Sequence, residues 1–467
     1  MNKTIAIVMC VVVAALQAHA GHVMIDGSYS CPATGLYPGT ERTYQVYVPE
    51  QYTGSEPACL YVGLDGVLCN APTVIDSLIE AGAMPVTIGV FLQPGVIRDS
   101  AGEVLRYNRS NEFDATDDRF VRFLSEELLP QVETLSTVDG RRIRLSAKPG
   151  DRMIFGLSSG GISAFVAAWH RPDCFGRVFS GVGTFVAMRG GNDLQAIVRK
   201  SEPRPLRIFL QDGSNDAWNA LFGHWYEGNQ MLASALNFAG YDARYDWSDG
   251  GHNVKRSTEI FADVMTWMWH DWPEPPHAGT TQNDFLNKIL IADHNEWQSH
   301  KVEKASVVNA QEWQERQGMT VSIGGEKRYA AHYPDNTLLA ASAPETNFLW
   351  QWVVQPDGSL AYGERFYYLH SYDNSQLEVG PMTFDGDGNL WVLTSDGLQA
   401  CDQNGRVRGI LMCPVTTNFE RVTAFYIGDG SINVEVALSP SMVVRYERRL
   451  AITPPETGVR PKSQGQG

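Results

Sequence analysis

Three short stretches of the chain hold residue types that together can carry out nucleophilic acyl chemistry. Gly156-Leu157-Ser158-Ser159-Gly160-Gly161 follows the apolar run Met153-Ile154-Phe155 and precedes a helical pattern over 162–170. A Gly-x-Ser-x-Gly between a strand and a helix marks a sharp turn that exposes a serine hydroxyl above the sheet. Side chains at Gly156 and Gly160 would crowd such a turn, and the helix N-terminus behind Ser158 favours negative charge developing there. Ser159 is the rival nucleophile, but two residues to either side of it stand Leu157 and Gly161 rather than a glycine pair. A serine of this kind needs a base, and the base an orienting acid. His252 lies in Gly250-Gly251-His252-Asn253, and Asp216 in Gly213-Ser214-Asn215-Asp216, just past an apolar run. The chain order Ser158, Asp216, His252 is that of an α/β-hydrolase. Two plainer roles compete: Asp216 as the N-cap of a following helix and His252 as a turn residue. Asp212 and Asp249 are alternative acids, ranked lower because Asp212 sits nearer the strand end and Asp249 is very close to His252 in sequence.

These residues must be positioned by a sheet. From about residue 43 to 272, β-rich runs (44–48, 58–63, 85–91, 153–155, 177–180, 207–211 and 243–247) alternate with helical patterns. One such pattern is 117–135, where Phe120, Phe123, Leu124, Leu128 and Leu129 recur at helical spacing. Strand and helix in alternation predict an α/β domain with a mainly parallel sheet covered on both faces. Pro273, Pro275 and Pro276 close the last helix, and a mixed segment follows. Beyond it, runs at 329–333, 338–342, 348–354, 366–370, 382–384, 390–393, 398–401 and 408–412 read as strands. Pro334-Asp335-Asn336, Asp385-Gly386-Asp387-Gly388 and Gly428-Asp429-Gly430 recur as turns between them. That weak repeat predicts an all-β, partial propeller of about three blades. The resulting division is 1–20 signal peptide, 21–272 α/β-hydrolase domain, 273–320 linker, 321–455 partial propeller and 456–467 disordered tail.

Composition sets the partners. The 467 residues carry 37 Lys+Arg against 53 Asp+Glu, a net charge of −16, and no basic patch stands out, which argues against nucleic acid. Lys3, an apolar run over 5–16 and Ala18-His19-Ala20 have the form of a cleaved export signal, predicting a secreted or periplasmic protein. The run is shorter than the ~20 residues that cross a bilayer, and no second stretch is long enough. Cys31, Cys59, Cys69, Cys174, Cys401 and Cys413 remain after cleavage, an even number compatible with disulfides whose pairing sequence does not give. No cofactor and no metal is implied. Asp385-x-Asp387-x-Asn389 is superficially a calcium loop, but Leu390 occupies the turn-glycine position and Asp396 the twelfth, so it reads as a β-turn.

Several of these segments together resemble the esterase D superfamily of α/β-hydrolases, which includes enterochelin esterases and the feruloyl and acetyl-xylan esterases of carbohydrate esterase family 1. They are Leu64-Asp65-Gly66-Val67, Arg109-Ser110-Asn111-Glu112-Phe113-Asp114, Glu127-Leu128-Leu129-Pro130, and the stretches around Ser158, Asp216 and His252. The resemblance implies that the backbone amides of Val67 and Ser159 form the oxyanion hole. It implies hydrolysis of feruloyl or acetyl esters on polysaccharide or oligosaccharide, with a siderophore-type ester as the alternative. Trp218, Phe222, Trp225 and Tyr226, at roughly helical spacing, either wall an aromatic acyl pocket or pack a helix on the core. Arg109 and Glu112 either bind substrate or pair with one another to fix their loop. The C-terminal region resembles gluconolactonase and regucalcin-like six-bladed propellers through Leu338-Leu339-Ala340-Ala341, Val354-Gln355-Pro356-Asp357-Gly358 and Asp387-Gly388-Asn389-Leu390-Trp391-Val392. That family's metal-binding Asp position holds Gly380-Pro381, which argues against a metal-dependent lactonase and leaves glycan binding as the other reading of this region. A three-bladed fragment has edges to cover, so packing on the esterase domain or a homodimer is expected.

Overall fold

Apolar runs whose residues are nearly all buried become the middle strands of the first part of the chain. The computed structural model describes residues 21–292, 296–302, 314, 319–428 and 430–455; the expected signal segment 1–20 and tail 456–467 lie outside them. Two compact units emerge, one of residues up to Gln195 together with Pro203–Gly279, the other of Ala196–Glu202 together with the chain from Thr280 onward.

The first unit holds β1 (His22–Ser30), β2 (Glu41–Pro49), β3 (Cys59–Leu64), β4 (Thr87–Leu92), β5 (Val96–Arg98), β6 (Val104–Tyr107), β7 (Arg152–Leu157), β8 (Arg177–Gly181) and β9 (Arg207–Asn215). After these come the short β10 (Trp218–Asn219) and β11 (Gly223–His224), then β12 (Asp242–Gly251). Its sheet has ten strands in the order β12-β9-β8-β7-β3-β4-β2-β5-β6, with β1 on β2. From β12 to β4 every pair is parallel; β2, β1, β5 and β6 add an antiparallel flank. The strand β1, which sequence patterning did not signal, runs in unbroken register with β2 from His22↔Pro49 to Ser30↔Glu41.

Helices α1 (Ala71–Glu80), α2 (Arg109–Phe113), α3 (Arg119–Arg122), α4 (Leu129–Val132), α5 (Ser159–His170), α6 (Leu194–Lys200), α7 (Trp225–Ala239) and α8 (Lys255–Trp269) follow in turn, α6 crossing the boundary between the units. The helix expected over 117–135 is interrupted: a π-turn at Phe123–Leu128 joins α3 to α4 while Phe120, Phe123, Leu124, Leu128 and Leu129 all stay buried. Tyr61, Phe91, Phe155, Phe179 and Phe209 of the sheet meet Phe261 and Met265 of α8 in one aromatic core. Burying aromatic side chains of this size is the dominant favourable term for the unit.

In the second unit the described residues of the range 273–320, expected as a linker, include a helix and a strand. Asn283 caps α9 (Asp284–Ile289) by accepting from the Phe285 and Leu286 amides, and β13 (Gln298–Val302) is a sheet strand. The remaining strands are β14 (Thr320–Ile323), β15 (Glu326–His332), β16 (Leu338–Ala341), β17 (Phe348–Val354), β18 (Leu360–Tyr368), β19 (Val379–Phe384), β20 (Leu390–Thr394), β21 (Gly397–Cys401), β22 (Val407–Leu411), β23 (Val422–Gly428), β24 (Ser431–Ser439) and β25 (Met442–Arg449). They make three separate antiparallel sheets, ordered β14-β15-β16-β17-β18, β19-β20-β21-β22 and β13-β25-β24-β23. The Asp385 carboxylate is filled by the Asp387 and Asn389 amides, Asn389 Nδ2 and Trp391 Nε1, the geometry of a turn. Cys31, Cys59, Cys69, Cys174, Cys401 and Cys413 are all free thiols. Among the described residues no helix is long and apolar enough to cross a membrane.

Candidate active site

Because β7 runs parallel between β3 and β8, the loops after β3 and β7 open at the same sheet edge. Ser158 sits between β7 and α5 with φ +58° and ψ −121°, a conformation that L residues avoid and that persists only where the surroundings over-determine it. Its amide donates to Gly181 O of β8 at 3.0 Å, and a Cβ on Gly156 would collide with the Gly160 carbonyl. The strand-to-helix turn therefore requires glycine at 156.

His252 reaches this serine from the loop after β12. His252 Nε2 lies 2.8 Å from Ser158 Oγ, and His252 Nδ1 lies 2.5 Å from Asp216 Oδ1, which also accepts from the Ala217 amide at 2.5 Å. Burial pushes the Asp216 carboxyl up, but the hydrogen bonds from His252, Asp212 and the Ala217 amide outweigh it and hold the group below its ordinary value. An ionised carboxylate only accepts, so the ring proton resides on Nδ1 and Nε2 is left to accept from Ser158. Asp216 caps no helix: the hairpin of β10 and β11 follows it. Asp249, the other rival acid, is exposed and meets Asn215 Nδ2 only through its backbone carbonyl.

The Ser159 amide opens α5, where the first amides have no intrahelical acceptor. Val67, 40% exposed, follows Asp65 and Gly66, both in the left-handed region at φ +64° and +82°. Arg109 ties this loop to the serine turn. Its Nε and Nη2 donate to the two Asp65 oxygens at 2.7 and 2.8 Å, and Nη2 also to Leu157 O at 3.3 Å. Arg109 and Glu112 thus do not pair with one another as expected; Glu112 is buried in a bidentate pair with Arg42 of β2 at 2.7 and 2.9 Å.

The aromatic group divides. Trp218 lies on the hairpin and is 69% exposed, whereas Trp225 begins α7 and is buried, so the helical spacing that joined them is not realised. The Trp225 ring stands edge-on to His252 with centroids 5.9 Å apart, and its Nε1 donates to Thr184 Oγ1 at 3.3 Å. Thr184 Oγ1 in turn lies 3.5 Å from Ser158 Oγ. Phe185, the next residue, lines with Phe222, His224 and Leu232 a cavity of about 200 Å³. Sequence reasoning did not single out Thr184: it stands in no motif, and it reaches the serine only because β8 runs beside β7, its amide donating to Ser158 O at 3.2 Å.

The family model described as "Putative esterase" matches residues 36–367. No curated protein matches the chain. Among solved structures, a ferulic acid esterase is similar at 17% identity and TM-score 0.39, over 54% of this chain and 99% of its own. The enterobactin esterase FES from Shigella flexneri is similar at 22% identity and TM-score 0.41, over 53% of this chain and 59% of its own. A feruloyl esterase module from Clostridium thermocellum is similar at 12% identity and TM-score 0.38, over 55% of this chain and 91% of its own.

Proposed function

The chain belongs to the Esterase family, whose model matches more than half of it, and from that premise we propose a secreted serine esterase that works through an acyl-enzyme. Ser158 Oγ attacks the ester carbonyl carbon as His252 Nε2 takes its proton, and Asp216 holds the imidazole and stabilises the imidazolium. The amides of Ser159 and Val67 receive the developing oxyanion. The imidazolium then protonates the leaving alkoxide, and a water deprotonated by His252 attacks the acyl carbonyl, freeing the acid and restoring Ser158. No cofactor enters these steps. The observation that carries the reading is the hydrogen-bond chain Asp216–His252–Ser158 ending on a serine held at φ +58°. Comparing Ser158→Ala with wild type on nitrophenyl acetate and methyl ferulate tests it: a loss of about 10,000-fold or more is expected, and equal rates refute it.

The ester we infer is a feruloyl or acetyl group on a polysaccharide or oligosaccharide. Trp218, 69% exposed and two residues after Asp216 in the chain, supports a sugar or aryl ring stacked there. A panel of acylated oligosaccharides, assayed with Trp218→Ala alongside wild type, tests this; an unchanged KM on every member refutes the stacking. Export rests on residues 1–20, and the N-terminal sequence of protein recovered outside the cytoplasm, expected to begin at Gly21, tests it. Three separate antiparallel sheets of four or five strands support reading the second unit as a partial propeller. A homodimer formed through that unit is tested by sedimentation, where a monomer at all concentrations refutes it.

A further inference from the structure

Two carboxyl groups stand at the end of β9, and only one of them faces the imidazole. Asp212 is fully buried; its Oδ1 accepts from the Gly213 amide at 2.7 Å and its Oδ2 from Asn229 Nδ2 of α7 at 2.7 Å. Asp216 Oδ1 takes the N–H groups of His252 and Ala217, but Asp216 Oδ2 is buried with no N–H aimed at it. The Asp216 amide closes a turn on Gly213 O at 2.9 Å while the Gly213 amide donates to Asp212 Oδ1, so the turn brings Asp216 back beside Asp212, and each carboxyl shifts the protonation of the other. Two carboxylates that close in a dry pocket do not both ionise, and an unpaired buried oxygen is costly. One proton resolves both problems.

We propose that Asp212 is a positioning residue, a carboxylic acid that keeps its proton at neutral pH and donates it to Asp216 Oδ2, fixing the acid that orients His252. The role rests on the serine-esterase reading. Asp212 rather than Asp216 holds the proton because Asp216 already receives the imidazole and an amide. Burial, and after it the hydrogen bond and charge of Asp216, push the Asp212 carboxyl up to about 9. The titratable groups facing it are Asp216 and, beyond that, His252. Asn229 from α7 and Ser248 from β12, whose hydroxyl approaches the Asp212 carbonyl at 3.5 Å, do not titrate in this range. Once Asp212 ionises, its donated hydrogen bond becomes like-charge repulsion and the support of His252 is lost. An asparagine at 212 supplies a donor of the same shape that does not ionise.

The test is the pH profile of kcat/KM on nitrophenyl acetate from pH 6 to 10 for the full chain as wild type, Asp212→Asn, Asp212→Leu and Ser158→Ala. Wild type is expected to decline above about pH 9. Asp212→Asn should stay within tenfold of wild type at pH 7.5 and lack that decline. Asp212→Leu, which strands Asp216 Oδ2, should lose about 10- to 100-fold in kcat with little change in KM. An Asp212→Asn profile with the wild-type alkaline limb, or equal losses in the Asn and Leu variants, overturns the role while an inactive Ser158→Ala leaves the esterase reading standing. A fully active Ser158→Ala removes both. Infrared spectroscopy gives a readout independent of turnover: a protonated-carboxyl band at pH 7.5 that vanishes in Asp212→Asn is expected, and its absence from wild type overturns the proposal.

Discussion

Arg109 offers the sharpest perturbation outside the reacting groups. Its guanidinium grips Asp65 at 2.7 and 2.8 Å and touches Leu157 O at 3.3 Å, bridging the loop that presents Val67 to the turn that presents Ser158. Asp65 and Gly66 hold φ +64° and +82°, so without that grip the loop is free to relax toward ordinary backbone geometry. A charge-assisted hydrogen bond contributes about 1.5–3 kcal/mol when dry. The Arg109 and Asp65 side chains are 36% and 22% exposed, and screening leaves about 1–2 kcal/mol to hold the loop. An oxyanion donor is worth about 2.7–4 kcal/mol in the transition state, so a loop that drifts forfeits part of that. Arg109→Met should therefore lower kcat by about 5- to 30-fold with KM changed less than about twofold, read from steady-state kinetics on nitrophenyl acetate. Arg109→Lys, with no planar fork, should fall between the two. An unchanged kcat in Arg109→Met would refute the reasoning; a loss confined to KM would show instead that Arg109 contacts substrate.

Three other outcomes follow from packing and charge. Gly156→Ala forces a Cβ into the Gly160 carbonyl, so it should abolish labelling of Ser158 by a fluorophosphonate probe and destabilise by about 3 kcal/mol or more in denaturant melts; normal labelling contradicts the steric account. Glu202→Gln weakens the buried pair with Arg448, bonded at 3.0 and 2.5 Å, and should cost about 3–5 kcal/mol by urea unfolding, whereas under about 1 kcal/mol contradicts it. Hydrogen bonds from Arg207, at 2.6 Å to each oxygen, hold the Asp271 carboxyl at about 2. A carboxyl depressed in the fold stabilises above its unfolded value near 4 and loses that contribution as pH falls toward about 2. Wild type should accordingly lose about 1 kcal/mol more than Asp271→Asn between pH 4 and pH 2, and parallel acid unfolding curves would count against it.

The parallel strands were legible because a sheet covered on both faces shows nearly continuous apolar runs, as in β3, β4 and β8, and the serine turn because its glycines sit between strand and helix. The strand β1 escaped notice: its burial is partial and irregular, so HVMIDGSYS shows no clean alternation. The helix extrapolated back from Trp225 to Trp218 failed for a local reason. Asn219 Oδ1 accepts from the Leu221 and Phe222 amides and Gly223 takes φ +104°, which turns the chain into a hairpin before α7 begins. Arg109 and Glu112 stand three apart, a spacing that suggests a pair, yet strand order decides their partners, Asp65 after β3 and Arg42 in β2. Asp212 reads in the sequence only as a rival acid, because nothing in its neighbours along the chain tells that it is buried against Asp216.

The short stretch Ala196–Glu202 changes how the molecule can be taken apart. It lies within the chain span of the first unit yet belongs to the second, where Ser201 bridges Ile410, the Glu202 amide donates to Ile410 O at 2.9 Å and the Glu202 carboxylate grips Arg448. Ending the gene after Trp272 would leave Ala196–Glu202 without Ile410 and Arg448, and expressing the remainder alone would leave the Arg448 guanidinium without its acid. A single recombination joint can neither shed the second unit nor lend it to another protein, so the two must be inherited together.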